Sequence, residues 1–133
     1  FSDFAHSPSK LKATIQAVKE QYPDRRLLAC MELHTFSSLS RNFLSQYKGC
    51  MDMADIAAVY FSKHAIELKR LENLDVKEVA EAFSKSGLRV FTDRCSLQEF
   101  IISNSESNTN VLMMSSGNFG GINIKEFAQE LIK

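Results

Sequence analysis

The amino-acid sequence predicts an α/β fold in which a mostly parallel sheet lies between two layers of helices. Short, continuous apolar runs such as 27–31 (LLACM) and 56–61 (IAAVYF) are typical of strands buried on both faces of a parallel sheet. Segments with apolar residues at helical spacing alternate with these runs, and most connections are short. The length of 133 residues suits one domain. We therefore expect a Rossmann-like, three-layer domain with about five or six strands and helices on both faces.

The first half of the chain predicts two helices and two strands. A helix is expected over 8–22, because apolar residues repeat there at spacings of four, three and four and form one stripe. The stripe consists of Leu11, Ile15, Val18 and Tyr22. A buried strand is expected over 25–33, then a second helix over 39–47 that stops at Gly49, and a second strand over 56–61.

The next stretch predicts an exposed connection, a capped helix and a short strand. Residues 62–74 are mixed and charged, so we expect an exposed connection that is partly helical. Asp75 is the expected N-cap of a helix, because Glu78 follows it at capping-box spacing. The apolar face of that helix is Val76, Val79, Ala80 and Phe83. Gly87 is expected to end the helix before a strand over 88–91.

The last part of the chain predicts a helix, a strand and a closing helix. Ser96 is the expected N-cap of the first of these, because Glu99 follows it at the same spacing. A polar loop over 103–110 precedes the last strand, over 111–114. The closing helix carries the apolar residues Ile124, Phe127, Ala128 and Leu131.

Composition and charge narrow the class of protein. The 16 basic and 16 acidic residues give a formal net charge of zero, so the sequence has no basic stripe for nucleic acid. No apolar run approaches the roughly 18 residues of a membrane span, and we expect no membrane partner.

The cysteines are odd in number and form no C-x-x-C motif, so we expect buried free thiols in a reducing cytoplasm. They are Cys30, Cys50 and Cys95. The histidines lack the spacing of a zinc site, and no metal site is predicted.

Three loops of the predicted sheet carry candidate ligand-binding residues. In open α/β sheets, ligands bind at the carboxyl ends of the strands. The loop around His6, the loop over 32–38 and the loop over 115–121 all fall at such ends, so we expect them to share one rim. The first and last place polar or glycine-rich backbone before a helix, where free N–H groups favour anions.

The same loops carry a resemblance to a known family. Residues 3–8 (DFAHSP) resemble the D-(Y/F)-A-H-x-P motif that opens the C-terminal domain of the Mur ligases, which build peptidoglycan precursors. Residues 31–38 (MELHTFSS) fall where that family has its second strand and the following loop. Residues 114–122 (MSSGNFGGI) are similar to M-S-N-G-G-F-G-G-I of the branch that joins UDP-N-acetylmuramate to a recycled murein tripeptide.

The resemblance implies an ATP-dependent amide synthesis through an acyl phosphate, with ATP and Mg²⁺ as cofactors. The P-loop motif G-x-x-x-x-G-K-(S/T) does not occur in this sequence. In the family it lies in a central domain, and the UDP-sugar site lies in an N-terminal domain. Residues 1–133 would then be the C-terminal domain alone, which begins with Phe1 and not Met. We expect this piece to work with its own N-terminal and central domains and to be inactive without them.

The resemblance also implies roles for individual residues. Asp3, Phe4 and His6 would contact the nucleotide, and His6 is the candidate catalytic residue. Amino-acid or peptide substrate would be bound by Glu32, His34, Thr35, Ser37, Ser115, Ser116, Gly117 and Asn118. Plainer structural explanations exist for three of them. Asp3 could cap a helix or form a turn, and Glu32 could be a solvated carboxylate at a strand end. Gly117 could be a glycine because the backbone there needs a positive φ or tight packing.

Several functional alternatives remain open. Thr35 and Ser38 stand where the L-alanine-adding branch has arginines, which favours the tripeptide as substrate over L-alanine. Ser2 and Ser7 also depart from the family pattern. A stand-alone nucleotide-binding or signalling module is the alternative of another class, although Asp55 precedes its strand and does not end it. The third residue of the peptide, diaminopimelate or lysine, and the oligomeric state do not follow from the sequence.

Overall fold

The computed structural model describes residues 2–3, 7–33, 44–68, 75–85, 87–105, 108–115, 119 and 127. Its strands are β1 (Ser2–Asp3), β2 (Arg26–Leu33), β3 (Ile56–Phe61), β4 (Arg89–Phe91) and β5 (Thr109–Met114). They form one parallel sheet in the order β1-β5-β2-β3-β4. The predicted α/β class is confirmed, and the strand number within the described residues lies in the expected range.

Four α-helices and one 3₁₀ turn accompany the sheet in these ranges. The helices are α1 (Pro8–Gln21), α2 (Lys63–Leu68), α3 (Val76–Phe83) and α4 (Arg94–Asn104), and the 3₁₀ turn spans Leu44–Tyr47. The first helix forms as predicted: Ser7 caps it by accepting the Lys10 N–H at 3.4 Å, and Leu11 and Ile15 of its apolar stripe are fully buried. Of the helix predicted over 39–47, the structure describes residues 44–47, and these form the 3₁₀ turn.

Two apolar cores, one on each face of the sheet, explain why the strands are apolar along their whole length. Alternate residues of β2 face opposite sides. Leu27, Ala29, Met31 and Leu33 join α1, the 3₁₀ turn and α3 on one side. Leu28 and Cys30 join Leu97 and Ile101 of α4 on the other, together with Phe119 and Phe127. Phe127 is helical and buried, and the rest of the predicted closing helix lies outside the described residues.

The 3₁₀ turn is joined to α3 by a ring contact and a backbone bond. The rings of Tyr47 and Phe83 stack with their centroids 5.0 Å apart. Gly49 donates its N–H to the carbonyl of Phe83 at 3.1 Å, with a φ of +77° that favours glycine. Gly49 therefore ends the turn as expected.

The cap of α4 differs from the prediction. Asp93 is its N-cap, and its carboxylate accepts both the N–H and the hydroxyl of Ser96. Ser96 is thus the third helical residue and a donor. The pKa of Asp93 is held below its ordinary value, mainly by the bond from the Ser96 N–H and next by the bond from the Ser96 hydroxyl. The helix also continues to Asn104, into the expected polar loop.

The middle of the chain brings three further corrections. In α3, Asp75 is the N-cap as predicted, but Val76 is exposed and does not belong to the buried face. The helix ends at Ser84, which adopts the left-handed conformation with φ 52°, before Gly87 is reached. The connection over 62–74 is partly helical as expected, since it contains α2, but Ile66 of this helix is buried in the core and not exposed.

At the amino end of the sheet, Asp55 ties α1 to β2. Its Oδ2 accepts hydrogen bonds from Lys19 Nζ and from the Leu27 N–H, each at 2.7 Å. Burial by itself would raise the pKa of Asp55, but these two bonds and the nearby positive charges outweigh burial and lower it. Asp55 is therefore a structural carboxylate at the edge opposite the predicted rim.

The cysteines are free, and they differ in exposure. Cys30 and Cys50 are buried as expected, and burial raises the pKa of both thiols. Cys95 is exposed, which contradicts the prediction. The reason is its place in the first turn of α4, on the side away from Leu97 and Ile101.

Candidate functional site

The carboxyl ends of β1, β5 and β2 lie side by side. The three strands are neighbours and parallel, and the register pairs Asp3 with Met114 and Met114 with Met31. The chain therefore leaves all three strands at the same edge of the sheet. The expected common rim is found for these strand ends.

The Glu32 carboxylate connects two of these strand ends. Glu32 lies on the same face of β2 as Cys30, and it is only 2% exposed. Its Oε1 accepts the hydroxyl of Ser115 at 2.5 Å and the backbone N–H of Phe119 at 2.8 Å. Hydrogen bonds to a buried carboxylate are strong, so Glu32 holds Ser115 and Phe119 against the end of β2.

Two of the predicted site residues are thus brought together. Glu32 and Ser115 are in direct contact at the rim. The plainer explanation for Glu32, a solvated carboxylate, is wrong because the side chain is buried. A contact of either residue with substrate stays a prediction.

The structure also places the backbone of Asp3. It lies in β1, paired with β5, so the alternatives of a helix cap or a turn are wrong. The cap of α1 is Ser7. The other predicted site residues lie outside the described ranges, and their roles stay predictions: Phe4, His6, His34, Thr35, Ser37, Ser116, Gly117 and Asn118.

Tyr60 is a rim residue that the sequence reasoning missed. It lies in β3 directly beside Glu32 in the strand register. Its ring faces the ring of Phe119, with the centroids 6.3 Å apart and the planes tilted by 33°. Burial raises the pKa of Tyr60, as do the negative charges of Glu32 and Asp93, against the opposing effect of Arg94. The signal available in the sequence was a tyrosine next to the last residue of a predicted strand, but the run over 56–61 was interpreted as core throughout.

The described ranges contain no group of three or more histidine, cysteine, aspartate or glutamate side chains that could hold a metal ion. In the same ranges, no helix combines the length and the apolar character that crossing a membrane requires.

Comparisons with known proteins found a matching family model and relatives of similar sequence. A family model described as "Mur ligase, glutamate ligase domain" matches residues 1–117. A UDP-N-acetylmuramate--L-alanine ligase of Agathobacter rectalis is 25% identical over 133 residues, which cover 98% of this chain and 27% of that protein. An enzyme of the same name from Chlorobium luteolum is 37% identical over 90 residues, or 65% of this chain and 18% of that protein. The chain thus spans about a quarter or less of the length of these relatives.

Solved structures share the fold. A crystallised ligase domain from Haemophilus ducreyi superposes with a TM-score of 0.67 at 24% identity, covering 98% of this chain and 88% of that one. The murein peptide ligase of Psychrobacter arcticus gives a TM-score of 0.72 at 20% identity, covering 96% of this chain and 26% of that one.

Proposed function

Because this chain belongs to the Mur ligase family, in its glutamate ligase domain, we propose that it is the C-terminal domain of an ATP-dependent, amide-forming ligase of peptidoglycan precursor synthesis. The observation that supports this most is the rim at which β1, β5 and β2 end together, with Glu32 bonded to Ser115 and Phe119. A cytoplasmic location follows from this proposal, since the precursors are made there.

We further propose that this domain supplies the binding surface for the amine-bearing substrate. The Glu32–Ser115–Phe119 contact orders the start of the glycine-rich segment, whose remaining polar groups would bind the substrate's carboxylates. Ordering a binding segment in advance reduces the entropy lost on binding. A rigid-body closure of this domain over the nucleotide would then bring the amine to the activated carboxylate.

ATP and Mg²⁺ are assigned mainly to a central domain outside this chain. The reason is that the sequence has no P-loop motif. When bound, ATP supplies the phosphoryl group that activates the muramyl carboxylate. Asp3, Phe4 and His6 are the residues of this chain assigned to the nucleotide, because the end of β1 opens onto the rim.

The amine donor we propose is the murein tripeptide L-alanyl-γ-D-glutamyl-meso-diaminopimelate, with UDP-N-acetylmuramate as the acceptor. Thr35 and Ser38 stand in the sequence where alanine-adding enzymes have arginines, and their smaller side chains would leave room for a longer peptide. The second candidate is L-alanine, and the observation that favours it is the name of the curated relatives, which are UDP-N-acetylmuramate--L-alanine ligases.

A competition assay in the full-length protein tests this choice. Wild type should prefer the tripeptide over L-alanine by kcat/KM. The Thr35→Arg, Ser38→Arg double variant should lose most of that preference, because two guanidinium groups fill the path of the longer peptide and offer a free amino acid a bidentate partner. A wild type that already prefers L-alanine would replace the first candidate with the second.

The isolated chain should release no phosphate from ATP when it is given Mg²⁺, UDP-N-acetylmuramate and tripeptide. Turnover comparable to that of the full-length protein would contradict the domain assignment. In the full-length protein, Asp3→Ala should raise the KM for ATP about tenfold or more, the effect of one charged hydrogen bond.

A further inference from the structure

Phe119 has a backbone conformation that a bulky residue rarely adopts. Its φ of 53° lies in the left-handed region, which favours glycine. Two contacts hold the residue there: its N–H donates to Oε1 of Glu32 at 2.8 Å, and its buried ring lies beside the ring of Tyr60. A strained backbone of this kind persists only where its surroundings impose it, and such residues cluster at binding and catalytic sites.

The Glu32 carboxylate is a second costly feature at the same place. Its side chain is buried, and a buried carboxylate is costly unless it is hydrogen-bonded. A single oxygen, Oε1, accepts both the Ser115 hydroxyl and the Phe119 N–H. These two donors stand on either side of residues 116–118 in the sequence, so one oxygen holds the residues at both ends of that segment.

The topology places this oxygen where ligands bind in open α/β sheets. The strands β2 and β5 are parallel neighbours. After β2 the chain reaches the face on which the 3₁₀ turn packs, and after β5 it reaches the other face, on which Phe119 and Phe127 pack. Neighbouring strands whose chains leave to opposite faces border a crevice at their carboxyl ends. The strained residue and the buried carboxylate therefore coincide with the expected position of a ligand.

We propose that Glu32 is a positioning residue of the amine-donor site and does not itself contact the substrate. It holds Ser115 and Phe119, at the two ends of residues 116–118, in place before the substrate binds. Glu32 and Ser115 are both buried and bonded to each other, so the contacts with the substrate fall to other groups of the rim. This assignment rests on the proposed ligase function and gives the two side chains a role different from the substrate contact that the sequence implied.

Glu32→Ala and Glu32→Gln in the full-length protein test the assignment together, with L-alanine and the tripeptide each tried as amine donor. Alanine removes the acceptor and frees both ends of residues 116–118. We expect the KM for the amine donor to rise about tenfold, the effect of reordering about one residue on binding, while the KM values for ATP and UDP-N-acetylmuramate stay the same.

Glutamine separates positioning from direct contact, because it removes the charge and keeps an oxygen acceptor. Glu32→Gln should bring the KM for the amine donor back to within about threefold of wild type. A direct contact of the carboxylate with the substrate's amino group would be weakened in both variants. An equal rise of this KM in Glu32→Gln and Glu32→Ala would therefore overturn the assignment.

Ser115→Ala removes one of the two bonds and keeps the carboxylate, so it tests the same device even if Glu32→Ala does not fold. The KM for the amine donor should rise about threefold, and an unchanged value would overturn the role of Ser115. Because Ser115 acts through Glu32, adding Ser115→Ala to Glu32→Ala should change this KM by less than about twofold. Effects that multiply would show that Ser115 contacts the substrate by itself.

Asp55→Ala is the matched control. Asp55 likewise accepts two hydrogen bonds on one carboxylate oxygen, but at the opposite edge of the sheet. The variant should lower the melting temperature, as Glu32→Ala does, and leave the KM for the amine donor unchanged. An equal rise of this KM in Asp55→Ala would mean that general destabilisation causes the effect and that Glu32 is only structural.

The outcomes separate this assignment from the proposed function. An active wild type together with a folded Glu32→Ala variant of unchanged KM would overturn the assignment alone. A full-length wild type without ATP-dependent ligase activity would overturn the proposed function and this assignment with it.

Discussion

Removal of the Glu32 carboxylate should destabilise the domain more than removal of any exposed acidic residue. Glu32→Ala abolishes two hydrogen bonds to Oε1 and leaves the Ser115 hydroxyl and the Phe119 N–H without that acceptor. Each bond to a charged group contributes about 1.5–3 kcal/mol. Since the two bonds share one oxygen and are not additive, we expect a loss of about 3–4 kcal/mol. That is a large part of a total stability of about 5–15 kcal/mol.

Two companion variants separate the bonds from the charge. Glu32→Gln keeps an oxygen acceptor in nearly the same place, so we expect a loss of only about 1–1.5 kcal/mol. Glu99→Gln makes the same chemical change on the exposed face of α4 and should fall within about 0.5 kcal/mol of wild type.

Urea unfolding of the chain measures these differences, and amide hydrogen exchange locates them. The Phe119 amide should be protected in wild type and largely protected in Glu32→Gln, and it should exchange at least tenfold faster in Glu32→Ala. A loss below about 1 kcal/mol in Glu32→Ala, with the Phe119 amide unaffected, would refute the reasoning, since it would show that Glu32 does not hold this segment.

Three further variants test other contacts. Asp55→Asn should lower the free energy of unfolding by about 1 kcal/mol at pH 7, a low value because Asp55 is 38% exposed. The pKa of Asp55 is lower in the folded protein than in the unfolded chain. The contribution of the carboxylate to the free energy of unfolding is therefore present above the unfolded pKa of about 3.9 and is lost as the pH falls through the folded pKa. Urea unfolding between pH 7 and 3 should show the free energies of wild type and Asp55→Asn converging. Thr109→Val should raise stability by about 1 kcal/mol, because the buried Oγ1 has no hydrogen-bond partner among the described residues, and an unchanged or lower melting temperature would contradict this. Ser84→Gly should raise it by about 0.5–1 kcal/mol by relieving the left-handed backbone, and destabilisation would mean that the hydroxyl bond to Glu81 matters more.

The elements that the sequence predicts well are those whose burial pattern is local. The run over 27–31 indicated a strand with two buried faces, and the stripe that contains Leu11 and Ile15 indicated a helix, because each pattern is complete within one element. The cap of α4 was mispredicted because Asp93 and Ser96 are both good cap residues, and only the end of β4 two residues before Asp93 decides between them.

The site shows the same division between local and distant information. Glu32 and Ser115 were candidates because the resemblance to the Mur ligases implied a role for them, and both lie at the ends of buried strands. That the Glu32 carboxylate binds the Phe119 N–H depends on the path of a segment far along the chain, which no local pattern encodes. β1 was missed for a similar reason: two residues carry no periodicity, and they form a strand only because β5 lies beside them.

The position of β5 between β1 and β2 makes assembly of the rim depend on the synthesis of residues 109–114. β5 is the last of the described strands along the chain, yet it lies inside the sheet. Until residues 109–114 have been synthesised, β2 has an open edge whose backbone groups can pair with other chains. Such pairings between distant segments form slowly, because the connecting loop must close first. Glu32 therefore has neither Ser115 nor Phe119 as a partner in a nascent or partly folded chain, and the rim forms only together with the complete sheet.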